Sequence, residues 1–308
     1  MDRIQAAEAE RQMMIRKVYQ PELVGKGHAE RLKLMYSGRI WLKYAELAIR
    51  PKSISRQVVQ ELEDLDKFIL ERKIDKWNLL KDEALWSLFK TILTHESTAI
   101  EGNRLTLEQT QEVLIGNNIS DEEISHHDVN EVINNGEVME YIKTNILAKS
   151  KSIDEEGVVL INKLVFPEAS EIRISAKDVP NDAKYRKLSI YVKGSSSVRP
   201  FPHELPSLMK ELFTLHAEKS KSLHPVILAC QFHMNFLWIH PFLDGNGRTA
   251  RLLTNILLFN SGYLGIIIPV SERSQYMSFF DLEKKHDTTA YFLYMISKIK
   301  ETIKFLGL

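Results

Sequence analysis

The chain has 308 residues, 44% of them hydrophobic and 27% charged, which is ordinary for a globular protein of one or two domains and ample for a buried core. Lys+Arg 41 balances Asp+Glu 41 for a formal net charge of +0, so no global field draws the chain to nucleic acid or to an anionic membrane. No apolar run reaches the ~18 residues of a membrane span, and no apolar leader marks a signal peptide, so the expected location is cytoplasmic, with nuclear entry left open.

In chain order, Ile4 to Ile49 is charged and helix-prone, with Met13, Met14, Ile15, Leu32, Leu34 and Trp41 as scattered apolar contacts, and Arg50-Pro51-Lys52 is a break. Val58 to Ile69 carries Val58, Val59, Leu62, Leu65, Phe68 and Ile69 at the three-and-four spacing of an amphipathic helix. Residues 1–85 read as an N-terminal helical region, accessory or dimer-forming rather than a second active site. Ala84 to Ile100 is predicted as a helix with Leu85, Leu88, Phe89, Ile92 and Leu93 on one side, running into Ser97-Thr98-Ala99-Ile100-Glu101-Gly102-Asn103. Ser97 and Glu101, four apart, share a face, and Gly102-Asn103 are typical helix-ending residues. A carboxylate at the negative end of a helix calls for a cation from elsewhere in the fold.

Helices follow over Thr106 to Ile115, over Ile124 to Ile146, and over Ile153 to Val165, the last ended by Pro167. Tyr185 to Val192 differs, with β-branched and aromatic residues in rough alternation; Lys193-Gly194-Ser195-Ser196-Ser197 is a turn and Val198 to Phe201 a returning edge strand, together a short β-hairpin. Pro202 to Ala217 and Leu223 to Ile239 are helices, the second so apolar that it reads as buried, together with the single cysteine, Cys230, a structural thiol. Thr249 to Phe259 is another apolar helix, Ser271 to Glu283 a further one, and Tyr291 to Phe305 the last.

Between the two apolar helices lies His240-Pro241-Phe242-Leu243-Asp244-Gly245-Asn246-Gly247-Arg248-Thr249-Ala250-Arg251. A helix that ends, a glycine loop and a helix that begins make an anion cradle of inward amides and a positive dipole end. Gly245 and Gly247 let the backbone approach an oxyanion; Asn246 is a donor; Arg248 and Arg251, one turn apart, can address one polyphosphate. Asp244 is a hard oxygen ligand of the kind magnesium takes beside phosphate, His240 is placed to accept a proton from a hydroxyl, and Phe242 is a hydrophobic pin. These residue types together point to phosphate chemistry.

The stretch resembles the signature of Fic-domain proteins, His-Pro-Phe-x-Asp-Gly-Asn-Gly-Arg-x-x-Arg, at every fixed position. The resemblance implies an all-α Fic fold, a helical bundle with a short β-hairpin flap, that transfers AMP from ATP to a hydroxyl side chain of a target protein. It implies His240 as general base and Asp244 as the Mg2+ ligand, with Gly245, Asn246, Gly247 and Arg248 on the phosphates and Arg251 on the γ-phosphate. Ser97-Thr98-Ala99-Ile100-Glu101-Gly102-Asn103 is similar to the family's inhibitory motif, Ser/Thr-x-x-x-Glu-Gly/Ala-Asn, in the class whose inhibitory helix precedes the core. The implied mechanism pairs Glu101 with Arg251, so that ATP binds with its α-phosphate misaligned. On this reading residues 86–308 form the Fic domain and about 86–103 its inhibitory helix.

By the same resemblance Asn130-Glu131-Val132-Ile133-Asn134 matches an Asn-bearing core helix, its polar residues being surface or packing contacts, and the hairpin Leu188, Ser189, Ile190, Tyr191 and Val192 is the flap that docks the target by strand addition. Tyr276 is implied to line the adenine, and Lys284 stands where some relatives carry an Asn near the base. The leading expectation is an auto-inhibited protein adenylyltransferase using ATP and magnesium, with a protein bearing a hydroxyl side chain as partner and a homodimer compatible with the family. The alternatives are a bifunctional or de-AMPylating enzyme in which Glu101 positions water, and a nucleotide-sensing module without turnover.

Overall fold

The computed structural model of the chain describes residues 54–119, 124–166, 184–187, 190, 199–280 and 288–308. Its helices are α1 (Arg56–Arg72), α2 (Lys76–Leu80), α3 (Glu83–Glu101), α4 (Leu107–Leu114), α5 (His126–Ile142), α6 (Glu155–Val165), α7 (Leu205–Lys219), α8 (Pro225–Ile239), α9 (Asn246–Asn260), α10 (Arg273–Ser278) and α11 (Thr288–Phe305). A π-helical turn, Lys143–Leu147, continues α5, and 3-10 turns precede α7 and α10. Among the described residues all regular structure is helical. Of the expected hairpin, Leu188, Ser189, Tyr191 and Val192 lie outside the described residues, as do Lys284 and the expected helix at 4–49; Ile190 is described and belongs to no regular element. No helix among the described residues is long and apolar enough to cross a membrane.

The bundle is built around α8 and α9, which pack on one another. α8 is largely apolar and buried along its length, its polar Gln231, His233 and Asn235 included, and Cys230 is 1% exposed within it. α9 touches α8, α6 and α3, so each wall around its first turn comes from a different helix. α1 packs on α11, and Val58, Leu62 and Leu65 belong to the same core as Leu253, Ile256 and Ile299, so the described part of the N-terminal region shares one core with the rest.

Local rules set most helix ends. Asp82 accepts from the amides of Ala84 and Leu85 at 2.9 and 3.0 Å to start α3, and Thr106 with Gln109 makes a capping box on α4. Three expectations are corrected. The core face of α3 is Trp86, Phe89, Leu93 and Ile100, while Leu88 is 40% exposed. The spacing from Phe89 explains it: Trp86, Leu93, Ser97 and Ile100 fall on its stripe, and Phe89 meets Phe259 of α9 edge-on at 5.7 Å. Next, α9 begins at Asn246, not Thr249, because Gly245 takes φ 74 as its N-cap and turns the chain into a helix at once. Third, of the helix expected over Ser271 to Glu283, the described residues to Phe280 form a 3-10 turn, the helix Arg273–Ser278 and a turn, and 281–283 lie outside the described residues.

Candidate active site at the α8–α9 loop

His240 closes α8. It sits in the left-handed region at φ 50, ψ 60, and its amide donates to the Phe236 carbonyl at 2.9 Å. That backbone costs a non-glycine residue ~1–2 kcal/mol, so the surroundings must hold it. Arg186 does so: its Nε donates to the His240 carbonyl at 2.8 Å, its Nη2 to the Pro200 carbonyl at 2.6 Å and its amide to the Pro241 carbonyl at 2.9 Å. The imidazole Nδ1 lies 3.2 Å from the Leu237 carbonyl. A carbonyl can only accept, so Nδ1 carries the proton and Nε2 keeps a free lone pair. Burial first, then the Arg199 and Arg186 guanidiniums, push the ring's pKa down to about 3, which keeps it neutral at physiological pH.

Beyond His240, Phe242 is 6% exposed and its ring lies between those of Phe236 and Tyr185, at 6.2 and 6.0 Å. Asn246 commits both ends of its amide to the same residue: Oδ1 accepts from the Phe242 amide at 3.0 Å and Nδ2 donates to its carbonyl at 2.9 Å. The Asn246 side chain thus closes the loop on itself. Asn162 of α6 braces the other side, its Nδ2 donating to the Asp244 carbonyl at 3.0 Å and to Thr249 Oγ1 at 3.1 Å. Gly245 is glycine for two reasons, its φ of 74 and the Asn162 Nδ2 that a Cβ would meet at 2.9 Å.

Each arginine is held by a different helix. Arg248, 3% exposed, pairs with Glu131 of α5 at 2.6 Å, and its guanidinium carbon lies 5.5 Å from the centre of the Phe166 ring. Its Nε is buried and makes no hydrogen bond among the described residues. Arg251, 2% exposed, reaches α3: Nε donates to Ser97 Oγ at 2.9 Å, and Nη2 to the Ser97 carbonyl at 2.8 Å and to Glu101 Oε1 at 2.7 Å. Burial works against the charge on Arg251, but Glu101 and Tyr276 outweigh it and hold its pKa above the ordinary value. The Glu101 carboxylate also lies directly against Gly247, where a Cβ would run into it. The anion that rests on the first turn of α9 is therefore the chain's own Glu101.

The end of α3 is fastened separately. Gly102 caps it at φ 110, its amide donating to the Ala99 carbonyl at 3.0 Å, and Arg273 Nε donates to the Ile100 carbonyl at 2.6 Å, a cation where the helix end wants one. Asn103 Nδ2 donates to Glu131 Oε2 at 2.7 Å and to the Asp128 carbonyl at 2.9 Å, so Glu131 links the α3 terminus to Arg248.

Asp244 stands apart. Its side chain is 57% exposed, Oδ1 accepts from the Gly245 amide at 2.5 Å and lies 3.9 Å from Arg248 Nη2. Among the described residues no three His, Cys, Asp or Glu side chains form a group that could hold a metal by themselves. A lone exposed carboxylate fits a magnesium ion that draws its other ligands from phosphate and water, not one caged by protein. Tyr276 is 1% exposed, its ring edge-on to Phe280 at 5.0 Å and its hydroxyl 2.8 Å from His233 Nε2, and it helps to stabilise the charge of Arg251.

The structure thus brings Ser97, Glu101, Gly247 and Arg251 together, with His240, Asp244, Gly245, Asn246 and Arg248 along the same loop. Sequence reasoning missed Glu131, Asn162, Arg186 and His233. For Glu131 a signal existed: Asp128, Glu131 and Asn135 are a polar stripe at three-and-four spacing on α5, and all three are buried.

The sequence profile described as the Fic/DOC family matches residues 152–258, which run from α6 through α9 and leave α3 outside the match. The chain is 34% identical over 211 residues to Protein adenylyltransferase Fic of Drosophila grimshawi, covering 68% of this chain and 41% of that protein. It is 31% identical over 263 residues to the protein of that name in Drosophila virilis, covering 83% of this chain and 52% of the relative. The chain thus spans about half, or less, of the length of these curated relatives. A solved structure of a Fic domain containing signaling protein from Bacteroides thetaiotaomicron, 25% identical, superposes with a TM-score of 0.61 over 82% of this chain and 95% of that one. The profile over the loop and its flanking helices, the identity to these relatives and the shared helical bundle agree: the chain is a Fic domain protein, distantly related to protein adenylyltransferase Fic.

Proposed function

We propose that the chain is an auto-inhibited protein adenylyltransferase that moves AMP from ATP to a hydroxyl side chain of a target protein. The observation that carries the reading is Glu101, which pairs with Arg251 at 2.7 Å and lies against Gly247, on the ground a polyphosphate would need. The buried Nε of Arg248, with no hydrogen bond among the described residues, supports an anion as its partner. In this reading the first turn of α9 with Gly245, Gly247 and Arg248 receives the phosphates, and Asn246 acts by holding the loop in shape. Arg251 takes the γ-phosphate once Glu101 leaves it. Asp244 would hold magnesium, which when bound offsets charge on the phosphates. The neutral His240, its Nε2 lone pair free, takes the proton of the incoming hydroxyl as the oxygen bonds the α-phosphorus and pyrophosphate departs.

Glu101 blocks this by denying the leaving group its clamp, so the α-phosphorus is not aligned for attack. The test is incorporation of AMP from ATP labelled at the α-phosphate: it rises sharply in Glu101→Gly and vanishes in His240→Ala, with mass spectrometry placing AMP, not phosphate, on hydroxyl residues. A second reading uses the same carboxylate in reverse. The Glu101 side chain is 38% exposed, open enough to orient a water that removes AMP from a modified target. Loss of AMP from a pre-modified protein with the unsubstituted chain, and not with Glu101→Gly, would select it.

A further inference from the structure

We propose that His233 and Tyr276 are positioning residues that orient the guanidinium of Arg251 from behind, an inference that rests on Arg251 being the γ-phosphate ligand. Neither residue belongs to the fixed positions of the loop signature or of the α3 motif. His233 stands on α8, seven residues before His240, and is 0% exposed. Its Nδ1 lies 2.7 Å from Thr254 Oγ1 and 3.2 Å from the Ala250 carbonyl, and its Nε2 lies 2.8 Å from the Tyr276 hydroxyl.

The direction of each bond in this chain is forced. Thr254 gives its one hydroxyl proton to the Ala250 carbonyl at 2.8 Å, so it can only accept from His233. The imidazole proton is therefore on Nδ1, and Nε2 is a bare lone pair. Tyr276 must donate to that lone pair, which turns its own oxygen lone pairs outward. Arg251, a pure donor, is what that oxygen interacts with, and the interaction stabilises the guanidinium's charge. Burial, then the nearby Arg251 charge, hold the pKa of His233 down to about 3, so the ring does not protonate and reverse the order near neutral pH. Ser97 from α3 thus holds Arg251 by two hydrogen bonds, Tyr276 from α10 stabilises its charge, and Nη2 also donates to Glu101. Exchange of Glu101 for a phosphate would leave Ser97 and Tyr276 in place, so the guanidinium meets its new ligand already aimed.

The experiment compares binding of ATP, ADP and adenosine by calorimetry in three proteins: Glu101→Gly alone, and Glu101→Gly combined with Tyr276→Phe or with Arg251→Ala. Arg251→Ala should abolish the preference for ATP over ADP. Tyr276→Phe, which keeps the ring but removes the oxygen that stabilises the guanidinium, should lower that preference about tenfold, with adenosine affinity unchanged. A preference lost in Arg251→Ala but intact in Tyr276→Phe overturns the positioning role and spares the reading of Arg251. Intact in both, it sinks the two together. A fall in adenosine affinity instead would make Tyr276 an adenine contact and overturn the proposal. A readout that needs no substitution is nitrogen NMR of histidine-labelled protein at neutral pH: His233 should show a protonated Nδ1 and a bare Nε2, and the opposite tautomer refutes the chain of bonds.

Discussion

Removing Glu101 should move stability and activity in opposite directions. Its carboxylate accepts a 2.7 Å hydrogen bond from Arg251, which is 2% exposed, whereas the Glu101 side chain is 38% exposed. A hydrogen bond to a charged group contributes ~1.5–3 kcal/mol, and solvent on the carboxylate side brings this pair toward the lower figure. Against it, Glu101 is the last residue of α3, where the negative helix end opposes a carboxylate by ~0.3–1 kcal/mol. Glu101→Gln recovers that dipole energy but loses the ionic bond, for a net loss of about 1 kcal/mol and a midpoint lowered by roughly 2–4 °C. Glu101→Gly removes the acceptor altogether and frees Arg251. A charge-assisted clamp on the leaving group contributes ~3 kcal/mol to the barrier, about 100-fold in rate. The assays are thermal unfolding and auto-modification with α-labelled ATP on the same preparations. Equal labelling of the unsubstituted chain and Glu101→Gly would refute the latch, and a Glu101→Gln protein with a raised midpoint would refute the energy assigned to the pair.

The remaining predictions concern the parts that hold the site. With His240 already neutral, single-turnover AMP transfer by Glu101→Gly should change less than about twofold between pH 6 and pH 8; an unperturbed histidine would be only about one quarter neutral at pH 6, so a rise of about fourfold would show that the ring titrates normally. Glu131→Ala strips a buried guanidinium of its ion pair and frees Asn103, so unfolding should become easier by ~3–5 kcal/mol, read by denaturant titration; a loss of under about 1 kcal/mol would mean Arg248 finds another partner. Gly245→Ala forces a left-handed backbone and crowds Asn162, so it should cost ~1–3 kcal/mol and slow turnover, whereas Gly262→Ala, with equal strain at φ 88 but open space around it, should lower stability without touching turnover. His233 and His240 have folded-state pKa values depressed to about 3, so the unfolded chain binds more protons below pH 6.5. Stability should be level above that pH and fall by up to ~1.4 kcal/mol per pH unit per histidine as pH drops toward 3, and His233→Gln should flatten the slope.

Much of the helical content was legible because it is written locally. The apolar spacing of α1 and the largely apolar run of α8 are properties of a few consecutive residues. Readings failed where a neighbour decided the outcome. Leu88 looks like a core residue from its own helix and is exposed because Phe89 is the side chain that meets Phe259. The partners of Tyr276, His233 and Phe280, are likewise set by packing and named by no local pattern.

The loop signature from His240 to Arg251 determined by itself which residue types stand within twelve positions of each other, and it placed Arg248 and Arg251 one helical turn apart. The Ser97–Glu101 face was equally local, being four residues on one helix. That these two segments, 150 positions apart, meet at Arg251 was implied only by the resemblance and follows from no local pattern, because it needs α3 packed on α9 through Phe89 and Phe259. Glu131 on Arg248 and the chain from Thr254 through His233 to Tyr276 were decided only by tertiary structure. A charged or polar group buried in a core must find its partner wherever the packing of apolar faces brings one, and no local pattern records which helix will supply it.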